Sequence, residues 1–155
     1  MMNRSYDVLK ALAGRTLSTA ESCTGGAIGA ALTAIPGSSE IFKGGIICYT
    51  NEVKIQQLHV DAKLLDRVGA VSTEVAEAMA SGVRKLLNTD MSVSVTGLAG
   101  PGGDSFGNPI GTVYIGYADS VRCFARLYNF SGDRETVRRD AVNAALDLLL
   151  EMCLR

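Results

Sequence analysis

The sequence has one histidine among 155 residues, which limits the chemistry open to it. A Ser-His-Asp triad and a histidine-rich metal site both need this side chain. His59 lies in a segment typical of a helix end, with no glycine-rich or nucleophile-like neighbour, and we predict a structural role for it. A hydrolase built on this chain must therefore find its catalytic base elsewhere.

Cysteines are few and widely spaced. The four are Cys23, Cys48, Cys123 and Cys153, and no two form a Cys-x-x-Cys pair. This spacing disfavours a zinc site or thioredoxin-type redox chemistry. We predict four buried thiols in a cytoplasmic protein.

The chain also lacks a long apolar run and an excess of charge. The first residues include Asp7 and no apolar segment, so we expect no signal peptide. The formal net charge of −1 and the isoelectric point near 5.8 argue against binding nucleic acid or a membrane by bulk charge, although a local basic patch stays possible. Hydrophobic residues make up 47% of the chain, enough for a real core, and the length fits one domain over residues 1–155.

Hydrophobic periodicity predicts helices that alternate with strands, and no repeat or linker divides the chain. The predicted helices span residues 5–13, 27–34, 51–58, 62–68, 73–87 and 133–154. The predicted strands span residues 16–20, 42–50, 91–96, 111–118 and 121–130. We expect Asn51, Ser72 and Asp133 at helix starts, and a buried strand over 42–50. The last two strands are joined too closely for a crossover and should form an antiparallel pair, so the fold class is α/β, a three-layer α/β/α sandwich with a mixed sheet.

Three polar segments follow predicted strands, where ligands of open α/β sheets gather. The first is Ser22-Cys23-Thr24-Gly25-Gly26 at a strand-to-helix turn. Its glycines allow backbone N–H groups to approach a ligand, and the helix start favours an anion or a developing oxyanion. Helix capping alone would also explain this segment.

The second segment, Tyr49 to Lys54, places Lys54 on the first turn of a predicted helix. A lysine there opposes the helix dipole, which indicates a recruited role, although a solvated surface lysine is the alternative.

The third segment is the glycine-rich loop from Thr96 to Asp104, which indicates close backbone approach to a ligand. Arg134, Arg138 and Arg139 on the last predicted helix could grip a phosphate or carboxylate, or could simply be solvated.

Without histidine or metal, a hydroxyl nucleophile needs an amine as its base. Ser22 and Lys54 are the natural candidates, because each follows a predicted strand. Lys54 must be neutral to act as a base, so its pKa should be lowered by burial or by a nearby dipole.

Six motifs occur in the order found in a known family. They are Thr19-Ala20-Glu21-Ser22-Cys23-Thr24-Gly25-Gly26, Pro36-Gly37-Ser38-Ser39, Tyr49-Thr50-Asn51-Glu52-Val53-Lys54, Gly69-Ala70-Val71-Ser72, Thr96-Gly97-Leu98-Ala99-Gly100-Pro101-Gly102-Gly103 and Gly111-Thr112-Val113-Tyr114. Through them nearly the whole chain resembles the C-terminal domain of the competence/damage-inducible protein CinA, a family also called PncC. The resemblance implies the stand-alone form, without the N-terminal domain of the larger CinA proteins.

The resemblance implies a nicotinamide-nucleotide amidase that converts nicotinamide mononucleotide and water to nicotinic acid mononucleotide and ammonia, with no metal or cofactor. It assigns Ser22 as the nucleophile and Lys54 as its partner. The substrate-binding residues that we expect are Thr24, Gly25, Gly26, Tyr49, Asn51, Thr96, Gly97, Gly100, Gly102, Arg134 and Arg138. Among these, the segments Thr24–Gly26 or Gly97–Gly100 would supply oxyanion donors, and an arginine would hold the phosphate.

Two alternatives remain open. The domain could be a binding module of the CinA type that holds a nucleotide or a partner protein without chemistry, or an amidase that acts on free nicotinamide or another amide. We expect a small-molecule nucleotide as ligand, a homo-oligomer, no membrane association and a cytoplasmic location.

Overall fold

The computed structural model describes residues 3–154 of the chain, which contain six α-helices. They are α1 (Arg4–Ala11), α2 (Ala27–Thr33), α3 (Asn51–Leu58), α4 (Ala62–Val68), α5 (Thr73–Leu87) and α6 (Arg134–Cys153). None of these helices combines the length and the apolar character that a bilayer span requires.

Five strands form one mixed sheet. They are β1 (Leu17–Glu21), β2 (Phe42–Ile47), β3 (Met91–Gly97), β4 (Thr112–Ala118) and β5 (Cys123–Asn129). The order across the sheet is β2-β1-β3-β4-β5. Strand β1 runs parallel to β2 and β3, whereas β4 runs antiparallel to β3 and β5, so the predicted terminal hairpin is confirmed. The carboxyl ends of β1, β2 and β3 consequently meet at one edge.

Strand β3 shows how the two faces of the sheet differ. Met91, Val93 and Val95 pack in the core that holds α1, α2 and α6. The alternate residues Ser92 and Ser94 face α5, where their hydroxyls donate to helix carbonyl oxygens at 2.6 Å each. A second apolar cluster, on the α3, α4 and α5 side, covers that face. The predicted three-layer sandwich is confirmed.

Strand β2 differs from the prediction of a buried strand over residues 42–50. It is an edge strand that ends at Ile47, and its residues alternate between half-buried and exposed. Apolar and β-branched residues continue to Thr50, so composition alone overestimates the length of this strand.

Helix α3 begins one residue earlier than the predicted Asn51 cap implies. Thr50 is the cap, since its Oγ1 accepts from the N–H of Val53 at 3.4 Å, and Asn51 is the first helical residue. The predicted caps Ser72 and Asp133 are confirmed, each accepting from the N–H three residues on.

The cysteines are only partly as predicted. Cys23 and Cys48 are buried, but Cys153 is half-buried and Cys123 is exposed. Cys123 begins β5, an edge strand, and no strand within residues 3–154 pairs with its outer side.

Candidate active site

Sheet register brings the first polar segment next to the others. Glu21 pairs with Val95 of β3, and the N–H of Ser22 extends this ladder by donating to the Val95 carbonyl at 2.9 Å. On the other side, the N–H of Cys48 donates to the Glu21 carbonyl at 2.9 Å. Ser22 therefore lies between Cys48 and Thr96 at the carboxyl edge of the sheet.

Lys54 reaches Ser22 from the first turn of α3. Its Nζ lies 3.1 Å from Ser22 Oγ and 2.8 Å from the carbonyl oxygen of Cys48, to which it donates. Lys54 is only 1% exposed and Ser22 only 8% exposed. The alternative of a solvated surface lysine is therefore wrong.

The surroundings of Lys54 favour a neutral amine. Burial lowers the pKa of Lys54 below its ordinary value, because the charged form loses hydration. Within residues 3–154 no carboxylate forms an ion pair with its ammonium group. A neutral Nζ can accept the Ser22 hydroxyl proton along the 3.1 Å contact while it still donates to Cys48.

Cys23 adds a second potential nucleophile to the cleft but is poorly activated. Burial raises the pKa of its thiol to about 11. Since the thiolate is the reactive form, Cys23 stays largely unreactive at neutral pH. Of these two neighbours, Ser22 has the base within hydrogen-bond distance.

Glu21, to which the sequence analysis gave no role, holds the turn that carries Ser22. Its Oε1 accepts from Thr24 Oγ1 at 2.7 Å and from the N–H of Ile28 at 2.9 Å, and its Oε2 accepts from the N–H of Gly29 at 3.0 Å. The helix start at Gly26 has no side-chain cap of its own. The sequence signal for this role was an acidic residue shortly before a helix that has no capping residue of its own, because such an acid can accept from the free N–H groups of the first turn.

Arg138 holds the same turn from α6. Its Nε donates to the carbonyl oxygen of Cys23 at 3.0 Å, and its Nη2 donates to that of Thr24 at 3.3 Å. This contact places the guanidinium behind the turn, so the structure does not bring Arg138 to the cleft as we expected. Arg139 is exposed and lies 3.8 Å from the Asp140 carboxylate.

A cleft of about 510 Å³ opens beside Ser22 and Lys54. Its walls come from the three sequence segments that follow strands, from the start of α6, and from Ala70, Val71 and Phe106. The expected site residues that line it are Ser22, Lys54, Tyr49, Asn51, Thr96, Gly97, Gly100, Gly102 and Arg134. The structure places Thr24, Gly25, Gly26 and Arg138 outside its walls.

The glycine-rich loop approaches its neighbours too closely for a side chain at Gly97 and Gly100, whereas Gly102 and Gly103 have open space around them. A Cβ on Gly97 would lie 2.6 Å from Val113 Cγ2 and 2.8 Å from the carbonyl oxygen of Thr112. Arg134 ties this loop to the cleft mouth, since it donates to the Gly100 carbonyl at 2.8 Å and to the Tyr49 hydroxyl at 3.1 Å. The loop thus forms a fixed wall rather than a simple connection.

Some lining residues escaped the sequence analysis. They are Ala70, Val71 and Phe106, whereas Cys23 and Asp104 belong to the first and third polar segments singled out from the sequence. Asp104 organises the end of the loop, accepting from the N–H groups of Phe106 and Asn108 at 3.1 and 3.2 Å. Such a turn around an aspartate is a local sequence signal, but its position at the cleft depends on the whole fold.

Two of the expected oxyanion donors are already in use. The N–H of Gly25 donates to the Ser22 carbonyl at 3.1 Å, and the N–H of Leu98 donates to the Thr112 carbonyl at 2.9 Å. In a trans peptide the C=O and N–H point in opposite directions. Because the Ser22 carbonyl points into the turn, the N–H of Cys23 points out of it, and Cys23 lines the cleft.

Comparison with known proteins identifies relatives over most of the chain. The family model described as the CinA C-terminal domain matches residues 2–153. A CinA-like protein of Trichodesmium erythraeum is 52% identical over 139 residues, covering 88% of this chain and 33% of that protein. A protein of Pseudomonas putida named nicotinamide-nucleotide amidohydrolase PncC is 48% identical over 136 residues, covering 88% of this chain and 85% of that protein. The chain spans about a third of the length of the CinA-like relatives that it matches.

Solved structures share the fold. The competence damage-inducible protein A of Klebsiella pneumoniae has a TM-score of 0.93 at 37% identity, covering 96% of this chain and 93% of that one. A CinA superfamily protein of Escherichia coli has a TM-score of 0.92 at 35% identity, covering 97% of this chain and 88% of that one.

Proposed function

This chain belongs to the CinA C-terminal domain family, and we propose that it is a nicotinamide-nucleotide amidase that hydrolyses nicotinamide mononucleotide through a Ser22–Lys54 pair. The products are nicotinic acid mononucleotide and ammonia. The observation that carries the proposal is the buried 3.1 Å contact between Lys54 Nζ and Ser22 Oγ at the floor of a cleft.

In the first step Ser22 Oγ attacks the carboxamide carbon. Neutral Lys54 takes the serine proton as the new C–O bond forms, so the amine becomes an ammonium ion. The carbonyl oxygen of the substrate becomes an oxyanion, and we infer that the Cys23 N–H stabilises it, because Cys23 lines the cleft. One oxyanion donor contributes about 10²–10³ in rate.

The second step releases ammonia. As the C–N bond breaks, the Lys54 ammonium returns its proton to the departing nitrogen, which leaves as NH₃ and an acyl-Ser22 ester. A water molecule then attacks this ester while Lys54 takes one of its protons. Lys54 gives that proton back to Ser22 Oγ as the carboxylic acid product leaves.

The cleft suits a mononucleotide in size and charge. Its volume of about 510 Å³ falls in the range of small-molecule sites. Arg134 stands exposed at the cleft mouth, and beyond its bonds to Gly100 and Tyr49 it keeps N–H donors that can form charge-assisted hydrogen bonds with the substrate phosphate. The alternative predicted phosphate ligand, Arg138, is committed to backbone carbonyls.

The relatives support the amidase assignment to different degrees. The name of the Pseudomonas putida relative specifies nicotinamide-nucleotide amidohydrolase. Other relatives carry only the name CinA-like protein, so the substrate is the part of the proposal that rests most on experiment.

The proposal is tested by ammonia release from nicotinamide mononucleotide, with a chelator present. We expect turnover by the wild type and a loss of about 10³-fold or more in Ser22→Ala and in Lys54→Ala, because nucleophile and base act as a unit. Exposed Ser120→Ala and Lys63→Ala serve as matched controls and should keep full activity.

Substrate comparison separates the remaining alternatives. Turnover of free nicotinamide as fast as of the nucleotide would contradict the nucleotide assignment. Calorimetric binding of the nucleotide without any ammonia release would instead indicate a binding module.

A further inference from the structure

Every backbone carbonyl from Glu21 to Thr24 already accepts a hydrogen bond from within the protein. The Glu21 carbonyl accepts from Cys48 and the Ser22 carbonyl accepts from Gly25. The Cys23 carbonyl accepts from Arg138 Nε at 3.0 Å, and the Thr24 carbonyl accepts both from Arg138 Nη2 at 3.3 Å and from the N–H of Ala27 at 3.0 Å.

These contacts matter because an oxyanion site tolerates no carbonyl oxygen. A carbonyl turned toward the developing negative charge would repel it, whereas an N–H group would stabilise it. The peptide between Cys23 and Thr24 sits beside a glycine pair, Gly25 and Gly26, both with positive φ. Glycines leave a turn free to adopt other peptide orientations unless something fixes it.

Arg138 has the geometry to fix this orientation. Its planar fork reaches two successive carbonyl oxygens, one through Nε and one through Nη2. Glu21 anchors the same turn through the Thr24 hydroxyl and the first N–H groups of α2. Arg138 therefore holds the turn through its carbonyl oxygens, and Glu21 holds it through its hydroxyl and N–H groups. The face of the turn toward the cleft stays open to a substrate.

We propose that Arg138 is a positioning residue for catalysis: by holding the Cys23 and Thr24 carbonyls it fixes the turn, so that Ser22 and the Cys23 N–H keep their orientation and no carbonyl turns toward the reacting carboxamide. This role rests on the proposed amidase function but involves no contact between Arg138 and the substrate. The expectation from sequence, a substrate-binding arginine, makes the opposite kinetic prediction.

Two substitutions test the role in steady-state kinetics with nicotinamide mononucleotide. Arg138→Met keeps the apolar stem and removes both donors, and Arg138→Lys keeps the charge but cannot fork across two carbonyls. We expect kcat to fall about 100-fold in Arg138→Met, the lower end of the range for loss of one oxyanion donor, and about 10-fold in Arg138→Lys, while KM changes less than threefold.

A matched control comes from another arginine that bridges two elements. Arg126 of β5 pairs with Glu151 of α6 and stacks on Phe124, far from the turn in the sheet order. Arg126→Met should lower the melting temperature but leave kcat unchanged. If Arg138→Met fails to fold, Arg138→Lys still gives the comparison.

A second readout is independent of the substrate. A fluorophosphonate probe phosphonylates reactive serines, and its rate of labelling Ser22 depends on the nucleophile and the oxyanion donors alone. We expect labelling to slow in both Arg138 variants in proportion to kcat.

The outcomes distinguish the two proposals. A rise of tenfold or more in KM with unchanged labelling would show a substrate contact and overturn the positioning role, as would unchanged kcat and labelling. If the wild type releases no ammonia but is labelled by the probe, and the Arg138 variants are labelled more slowly, the amidase proposal is refuted and the positioning role is supported. A wild type that neither reacts nor turns over would overturn both.

Discussion

At the residue scale, Lys54 shows what burial does to an ionisable group. The helix that carries it begins at the carboxyl edge of the sheet, so its long side chain points into protein instead of solvent. The same desolvation that lowers its pKa makes it usable as a base and makes its charged form costly to fold. At this position the lowered pKa that a base requires therefore reduces the free energy of unfolding.

This effect predicts that Lys54→Met folds more stably than the wild type while losing activity. Because the pKa of Lys54 is lowered in the folded state, the unfolded chain binds more protons between that pKa and 10.5. The free energy of unfolding of the wild type should therefore rise with pH over this window, by about 1.4 kcal/mol for each unit of lowered pKa.

Urea denaturation of both proteins across a pH series measures this difference. The advantage of Lys54→Met should be largest at the acidic end and should shrink as pH approaches 10.5. A stability difference that does not vary with pH would contradict the lowered pKa.

At the scale of elements, the site lies at the carboxyl edge of the sheet, and its geometry depends on the residues at which the helices begin. Ser72 and Asp133 were predictable as caps because each precedes a clear helical pattern. Thr50 was missed because Cys48, Tyr49 and Thr50 also suit a strand, and composition does not show where the neighbouring strand stops pairing. The local hydrophobic pattern was enough to predict which elements form, but the pairing of strands in the sheet determines the residues at which they end.

The corrected cap predicts unequal effects for two adjacent substitutions. Thr50→Ala should reduce the free energy of unfolding by about 1 kcal/mol, since the Val53 N–H loses its acceptor. Asn51→Ala should change it by less, because no cap bond to α3 depends on that side chain. Thermal denaturation of both variants checks this, and a larger loss in Asn51→Ala would restore the original assignment.

The candidate site was predictable only in part, for the same reason. Ser22 and Lys54 follow parallel strands that are neighbours in the sheet, so knowing the topology is enough to place them together. Arg138 contacts Cys23 and Thr24 across more than a hundred residues, and nothing in its local sequence specifies that partner. The local sequence around an arginine near a helix start is the same whether its guanidinium binds a phosphate or backbone carbonyl oxygens.

At the scale of the whole molecule, one sheet separates two apolar clusters. Leu149 of α6 belongs to the cluster on one face and Met79 of α5 to the cluster on the other. Because the strands between them are common to both, neither cluster can be lost while the other keeps its support.

The expected homo-oligomer, the cytoplasmic location and the absence of bulk nucleic-acid binding stay predictions.

A shared sheet predicts a single unfolding transition even when either cluster is damaged. Leu149→Ala and Met79→Ala should each lower the free energy of unfolding by about 2–5 kcal/mol, as expected for truncation of a fully buried side chain. Differential scanning calorimetry should show one peak, with equal calorimetric and van't Hoff enthalpies, for both variants. Two peaks in either variant would mean that the layers unfold independently.

The attachment of the Ser22 turn to α6 has a consequence for synthesis on the ribosome. Translation runs from the N-terminus, so the segments that bear the nucleophile and the amine emerge well before the guanidinium that steadies the turn. Because α6 also supplies part of the apolar cluster on one face of the sheet, the site is completed only when α6 has emerged and docked. The onset of hydrolysis would then report the completion of folding.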